Sequence, residues 1–152
     1  MIDVYKSETP PSYFITSGFV FEKLSINYIN QYNAKLRNPA YTPYDLIKLI
    51  DDYPEGIDEI VFIVTVLPDE SNEGYQNLRN IAIKEINGEK IVDFQDFIQK
   101  LQAKRYAVLI DFKDNSFVID NELSEKRDSK IKGIYNISSL VSKDLQKNKK
   151  KF

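Results

Sequence analysis

Residues Ile60 to Leu67 read Ile-Val-Phe-Ile-Val-Thr-Val-Leu, apolar throughout except for Thr65 and bounded by Asp58-Glu59 and Pro68. A run of this length, rich in Val and Ile and closed by proline, is a strand, and the lack of polar alternation means that both of its faces are buried. The rest of the chain has to supply the cover. Asn87-Gly88 lies between Ile81–Ile86 and Lys90–Val92, a spacing that predicts a tight hairpin because both turn residues tolerate φ > 0. Asp93 then caps a helix with Asp96 in its first turn, Phe94, Phe97, Ile98 and Leu101 along one side, and Lys104 and Arg105 at its negative end.

The remaining elements follow the same reasoning. Tyr13-Phe14-Ile15, Thr16-Ser17-Gly18 and Phe19-Val20-Phe21 read as a strand approached through a tight loop. Ser25 is placed to cap a short helix carrying Ile26, Tyr28, Ile29 and Tyr32, which ends near Arg37-Asn38-Pro39. Thr42-Pro43-Tyr44-Asp45 predicts a helix start, with Leu46, Leu49 and Ile50 on one face and a stop before Pro54. Tyr106, Val108, Ile110 and Phe112 alternate with other residues, and a charged turn at residues 113–115 returns through Phe117-Val118-Ile119 as a second hairpin. Asn121 to Lys132 is mostly charged, with Leu123 and Ile131 as weak anchors and Gly133 as the expected helix stop. Ile134, Tyr135, Ile137, Leu140, Val141 and Leu145 are then available to pack back onto the domain.

Composition narrows the chemistry. Lys and Arg total 21 against 23 Asp and Glu in 152 residues, so no positive field gathers a polyphosphate, and nucleic acid is not an expected partner. The chain has no histidine and no cysteine. That excludes a histidine-based hydrolase and zinc sites built on either residue, and leaves only oxygen-bound cations to consider. Asp69-Glu70-Ser71-Asn72-Glu73-Gly74 resembles the start of a calcium loop, but its twelfth position is Asn80 rather than a bidentate acid, so it reads as a solvated turn. Asp51-Asp52 and Asp58-Glu59 are adjacent pairs whose side chains diverge, so neither forms a catalytic pair. No metal, cofactor or membrane contact is expected, and no stretch approaches the roughly 18 apolar residues of a membrane span.

A small sheet beside one amphipathic helix makes a groove that accepts an extended peptide by strand addition. Thr16, Ser17, Gly18, Phe19, Val20 and Phe21 would supply the strand and an amide-bearing loop, and Phe94, Phe97, Ile98 and Leu101 the apolar wall. The plainer possibility is that these aromatics are ordinary core and Gly18 an ordinary turn.

Several strings, in order, resemble the C-terminal PDZ domain of Deg/HtrA (Do-like) serine proteases. They are Tyr13 to Leu24 with its Gly18-Phe19-Val20-Phe21, Val66-Leu67-Pro68, Gly74-Tyr75-Gln76-Asn77-Leu78, Ile86-Asn87-Gly88-Glu89-Lys90-Ile91, Phe94 to Leu101, Ala107 to Phe112, Gly133-Ile134-Tyr135 and Ser142 to Leu145. Tyr135 stands where that family has proline, and Gly18 to Phe21 only loosely matches the Gly-Leu-Gly-Phe carboxylate loop of ordinary PDZ domains. The resemblance implies an α+β PDZ-like fold, a small bent antiparallel sheet or partial barrel with two or three helices and a C-terminal extension. It divides the chain into a lead-in at 1–12, the PDZ-like domain at 13–120, the packed extension at 121–145 and a frayed basic tail at 146–152. It further implies a non-catalytic module of a parent protease, binding peptide or protein segments, with a homo-oligomeric parent in a bacterial envelope or an organelle. The alternative is an oligomerisation element whose groove is occupied by the chain's own segment, such as Ile137 to Leu145.

Overall fold

The computed structural model describes residues 11–30 and 43–146. One antiparallel sheet organises the domain, in the order β1 (Tyr13–Thr16), β2 (Phe19–Lys23), β3 (Val61–Val66), β4 (Ile81–Ile86), β6 (Tyr106–Asp111) and β7 (Ser116–Asp120), with the two-residue β5 (Glu89–Lys90) paired to β4. The helices are α1 (Tyr44–Asp51), α2 (Phe94–Gln102), α3 (Asn121–Ile134) and α4 (Lys143–Gln146), with a 3₁₀ turn at Glu70–Asn72. This is the PDZ-like α+β architecture.

β3 sits centrally, and each face of the sheet carries its own apolar cluster. On one face, Phe19, Phe21, Val61, Ile63 and Ile83 pack against Phe94, Phe97, Ile98 and Leu101 of α2. On the other, Phe62 and Ala82 pack with Leu24, Ile29, Leu46, Ile57 and Ile60, beneath α1 and the helical residues 26–30. The double-sided apolar run of β3 thus has the two layers that its composition demands.

The local signals act as expected at several points. Asn87 and Gly88 take φ of 53° and 78°. Asp93 accepts a hydrogen bond from the Asp96 amide at 2.7 Å and starts α2. The Ser25 hydroxyl accepts from the Tyr28 amide at 3.1 Å. Tyr32, Arg37-Asn38-Pro39, Thr42 and the tail beyond Gln146 lie outside the described residues; Pro43 is the residue before α1 rather than its first.

Two expectations are corrected, at Gly18 and at Gly133, and two readings left open are completed, the inward face of β6 and the stretch after β7. The stretch around Gly18 is two strands, because Ser17 and Gly18 at φ of 49° and 82° fold a two-residue turn and pair β1 with β2. On β6 the exposed set is Tyr106 and Val108, while Ala107 and Leu109 go inside; both sets are apolar, so register rather than composition decides the face. The charged stretch after β7 is one regular helix, α3, begun by Asp120, whose carboxylate accepts from the Glu122 and Leu123 amides. Its stop is Asn136 at φ 56°, not Gly133. The Ile137 amide donates to Lys132 O at 2.9 Å and the Asn136 amide to Gly133 O at 3.3 Å, the paired bonds of a Schellman end.

Candidate peptide-binding groove

The fold brings most of the expected groove residues together. Phe19 and Phe21 stack on the inner face of β2, and the Phe21 ring meets Phe97 of α2 at 4.8 Å between centroids. Phe94, Phe97, Ile98 and Leu101 are spaced three and four apart, so all four project from one side of α2 into the same cluster, where each is fully buried. Val20 lies between Phe19 and Phe21 and therefore belongs to the opposite face. Thr16 and Ser17 are buried at the turn.

The edge available for strand addition belongs to β1. Both sides of β2 are paired, Phe21 standing opposite Phe14 on β1 and Ile63 on β3. The outer edge of β1 carries an antiparallel partner from the same chain: the Ile15 amide donates to Leu140 O at 2.8 Å and the Ser142 amide to Tyr13 O at 3.1 Å, bridging Phe14 to Val141. Side chains reinforce the pairing. The Tyr13 amide donates to Ser142 Oγ at 3.0 Å, the Tyr13 hydroxyl to Ser139 O at 2.8 Å, and the Ser12 hydroxyl to Asp144. Val141 and Leu145 then enter the α2-side cluster, 3% and 5% exposed. Residues 139–145 form a strap in the space between β1 and α2.

The turn itself is held by residues that sequence spacing does not single out. Asn72, 1% exposed, donates through Nδ2 to Ser17 O at 2.7 Å and to Leu67 O at 2.8 Å. Its Oδ1 accepts from the Asp69 amide and from Gln76 Nε2, both at 3.1 Å, and the Leu67 amide donates to Gly18 O at 2.7 Å. Asp69 is gripped by Arg127 through two bonds, Nε at 3.0 Å and Nη2 at 2.6 Å. That guanidinium, with Ser71, keeps the Asp69 carboxyl far below the ordinary carboxylate range, against the opposing effect of its burial. The acid that heads the calcium-like loop therefore caps the 3₁₀ turn and pairs with α3. No group of three or more metal-ligating side chains gathers among the described residues, and no described helix is long and apolar enough to cross a membrane.

Asp128 on α3 faces the turn, its Oδ1 accepting from the Ser17 amide at 2.8 Å and its Oδ2 lying 3.4 Å from Thr16 Oγ1. Burial pushes its carboxyl up to about 6, the Ser17 amide and Thr16 hydroxyl pull it down, and the Asp69 charge adds to the rise. A cavity of about 590 Å³ opens beside it, walled by Thr16, Leu101, Asp128, Lys132, Leu140 and Val141 among others.

A bent antiparallel sheet with a helix laid along a β1 edge that takes up an extended segment defines a protein-interaction domain, and sequence comparison gives its class. The PDZ domain family matches residues 2–144, and the chain belongs to that family. Two relatives from Arabidopsis thaliana, named as the mitochondrial proteases Do-like 12 and Do-like 11, are 26% identical over 141 residues and 23% identical over 137. The matches cover 91% and 89% of this chain but 24% and 20% of those relatives, so the chain spans about a quarter or less of their length. PDZ domains are non-catalytic protein-interaction domains.

Proposed function

We propose that the chain is the assembly module of a Deg/HtrA-type serine protease, a non-catalytic domain that engages neighbouring subunits and regulates access of substrate. In this reading its own strap fills the strand-addition site, so Thr16 to Phe21 and Phe94 to Leu101 serve as packed walls and partners meet the outer surface. The supporting observation is the pairing of residues 140–142 with β1, with Val141 and Leu145 buried in the main cluster. A fluorescence-anisotropy titration of the intact chain with apolar peptides bearing free C-termini is expected to show no saturable binding tighter than about 1 mM. Sedimentation velocity is expected to show concentration-dependent association. Micromolar peptide binding, with the Ile15 and Ser142 amides losing hydrogen-exchange protection, overturns the reading.

A second reading, peptide capture after the strap lifts, is favoured by one feature: the ladder between strap and β1 has only two main-chain bonds among the described residues. Under it, Val141→Asp expels the strap and exposes the groove, and peptide affinity rises to about 1 μM. A variant that keeps its fold and still binds no peptide removes this reading.

A further inference from the structure

The β1–β2 turn makes a second contact with its own chain, independent of the strap. At φ of 49° and 82°, Ser17 and Gly18 leave the ladder, and the Ser17 amide is turned toward α3 instead of a strand partner. The carboxylate of Asp128 meets it, with the Thr16 hydroxyl at the second oxygen and the Ser17 hydroxyl against that of Ser124 one helical turn earlier. Next to Asp128, Arg127 binds Asp69, which caps the 3₁₀ turn carrying Asn72, and Asn72 holds Ser17 O. The helix is thus tied to the turn from two sides. Exposed carboxylates on charged helices ordinarily pair with solvent or lysine at little gain. This one sits where burial opposes its charge, and its oxygens are met by a backbone N–H and a hydroxyl of the turn.

We propose that α3 is a lock on the β1–β2 turn, the Asp128 carboxylate holding the position that the carboxylate of an incoming ligand needs, so that the turn admits such a group only when Asp128 is withdrawn. This rests on the self-occupied groove proposed above and adds its regulation: the strap blocks the strand position and Asp128 blocks the anion position. The cavity between α3 and the strap reaches Thr16 and Asp128, the two side chains beside the Ser17 amide, with Lys132 on its wall. The charged groups around the position are Glu125, Arg127 and Lys132 on α3 and Asp69 at the cap of the 3₁₀ turn, while the strap residues lining the cavity, Ser139, Leu140 and Val141, carry no charge.

Acetate is the probe, and the amide resonance of Ser17 in the full chain is the readout. In Asp128→Ala the resonance is expected to move saturably with acetate up to about 100 mM, at least about fivefold further than in the unsubstituted chain and without response to chloride at equal ionic strength. Asp128→Asn keeps an oxygen that accepts from the Ser17 amide and is expected to stay unresponsive. Arg127→Ala, which loosens α3 but keeps Asp128, is the second variant and is expected to show an acetate response absent from the unsubstituted chain. A Ser17 resonance indifferent to acetate in both Asp128→Ala and Arg127→Ala, or equally responsive in the unsubstituted chain, overturns the lock. The strap is read separately through Ile15 and Ser142, whose exchange protection is expected to persist in Asp128→Ala; its loss in the unsubstituted chain counts against the strap and not against Asp128.

Discussion

Gly18→Ala is expected to destabilise the domain by about 4 kcal/mol and lower its melting temperature by about 10 °C, while Gly88→Ala costs about 1 kcal/mol. Both glycines hold left-handed backbone, φ 82° and 78°, so both substitutions meet the same conformational penalty of about 1–2 kcal/mol. Their surroundings differ. A Cβ at Gly88 meets nothing within 4 Å. At Gly18 it stands 2.3 Å from Leu67 O and 2.5 Å from Asn72 Nδ2, neither of which is the free end of a flexible side chain. Relief requires the turn to leave β3 or Asn72 to leave its site, breaking the bonds from the Leu67 amide to Gly18 O and from Asn72 to Ser17 O and Leu67 O. Each buried polar group left without a partner costs about 1–3 kcal/mol. Thermal melts of the two variants decide it: equal losses mean that only the backbone angle matters and that the Leu67–Asn72 wall is yielding.

The contrast also shows what a sequence discloses and what it hides. Asn87-Gly88 is legible because its turn is set by two adjacent residues, and Ile60 to Leu67 because seven apolar side chains in a run of eight, broken only by Thr65, fit a strand covered on both faces. The Asp93 cap and the Phe94, Phe97, Ile98, Leu101 face are legible for the same reason, since i to i+3 and i+4 relations lie within one helix. The Ser17-Gly18 turn has the same dihedral pattern as Asn87-Gly88, yet Ser is a weak signal for φ > 0, and the run reads as one strand with an interruption. The helix α3 is only faintly legible, through the stop expected at Gly133, because its apolar content is two anchors among charges, and what holds it is distant: Arg127 on Asp69 and Asp128 on Ser17. The strap pairs Tyr13 with Ser142, 129 residues apart, and no local periodicity encodes such a partner. The candidate groove follows this division, since its aromatic walls are written locally and its occupant is set by packing at long range.

Raising the pH from 5 to 8 is expected to weaken the fold through Glu22, and Glu22→Gln to remove most of that loss. Glu22 lies on β2 opposite Tyr13 and Phe62, on the face that carries the second apolar cluster. Desolvation pushes its carboxyl from 4.5 up to about 7. Below pH 4.5 the group is protonated in both folded and unfolded chains and imposes no charge penalty. Between 4.5 and about 7 the unfolded chain ionises while the folded one retains its proton, so stability falls as pH rises, and above 7 the loss is complete. The shift sets an upper bound of about 3 kcal/mol for the loss. Asp128, up at about 6 for the same first reason, adds a smaller loss of the same sign between 3.8 and about 6. Asp69, held low by Arg127, acts oppositely: its contribution is present above 3.8 and is lost only in stronger acid, outside the measured interval. Urea unfolding at pH 5 and pH 8, compared between the unsubstituted chain and Glu22→Gln, therefore isolates the glutamate from the Asp128 contribution. Glu22→Gln matches the unsubstituted chain within about 1 kcal/mol at pH 5 and exceeds it by about 2–3 kcal/mol at pH 8, because the amide has the side chain's shape without its charge. Parallel pH profiles for the two chains would show that Glu22 is solvated in the folded state and that the second cluster does not extend over β2 at Glu22.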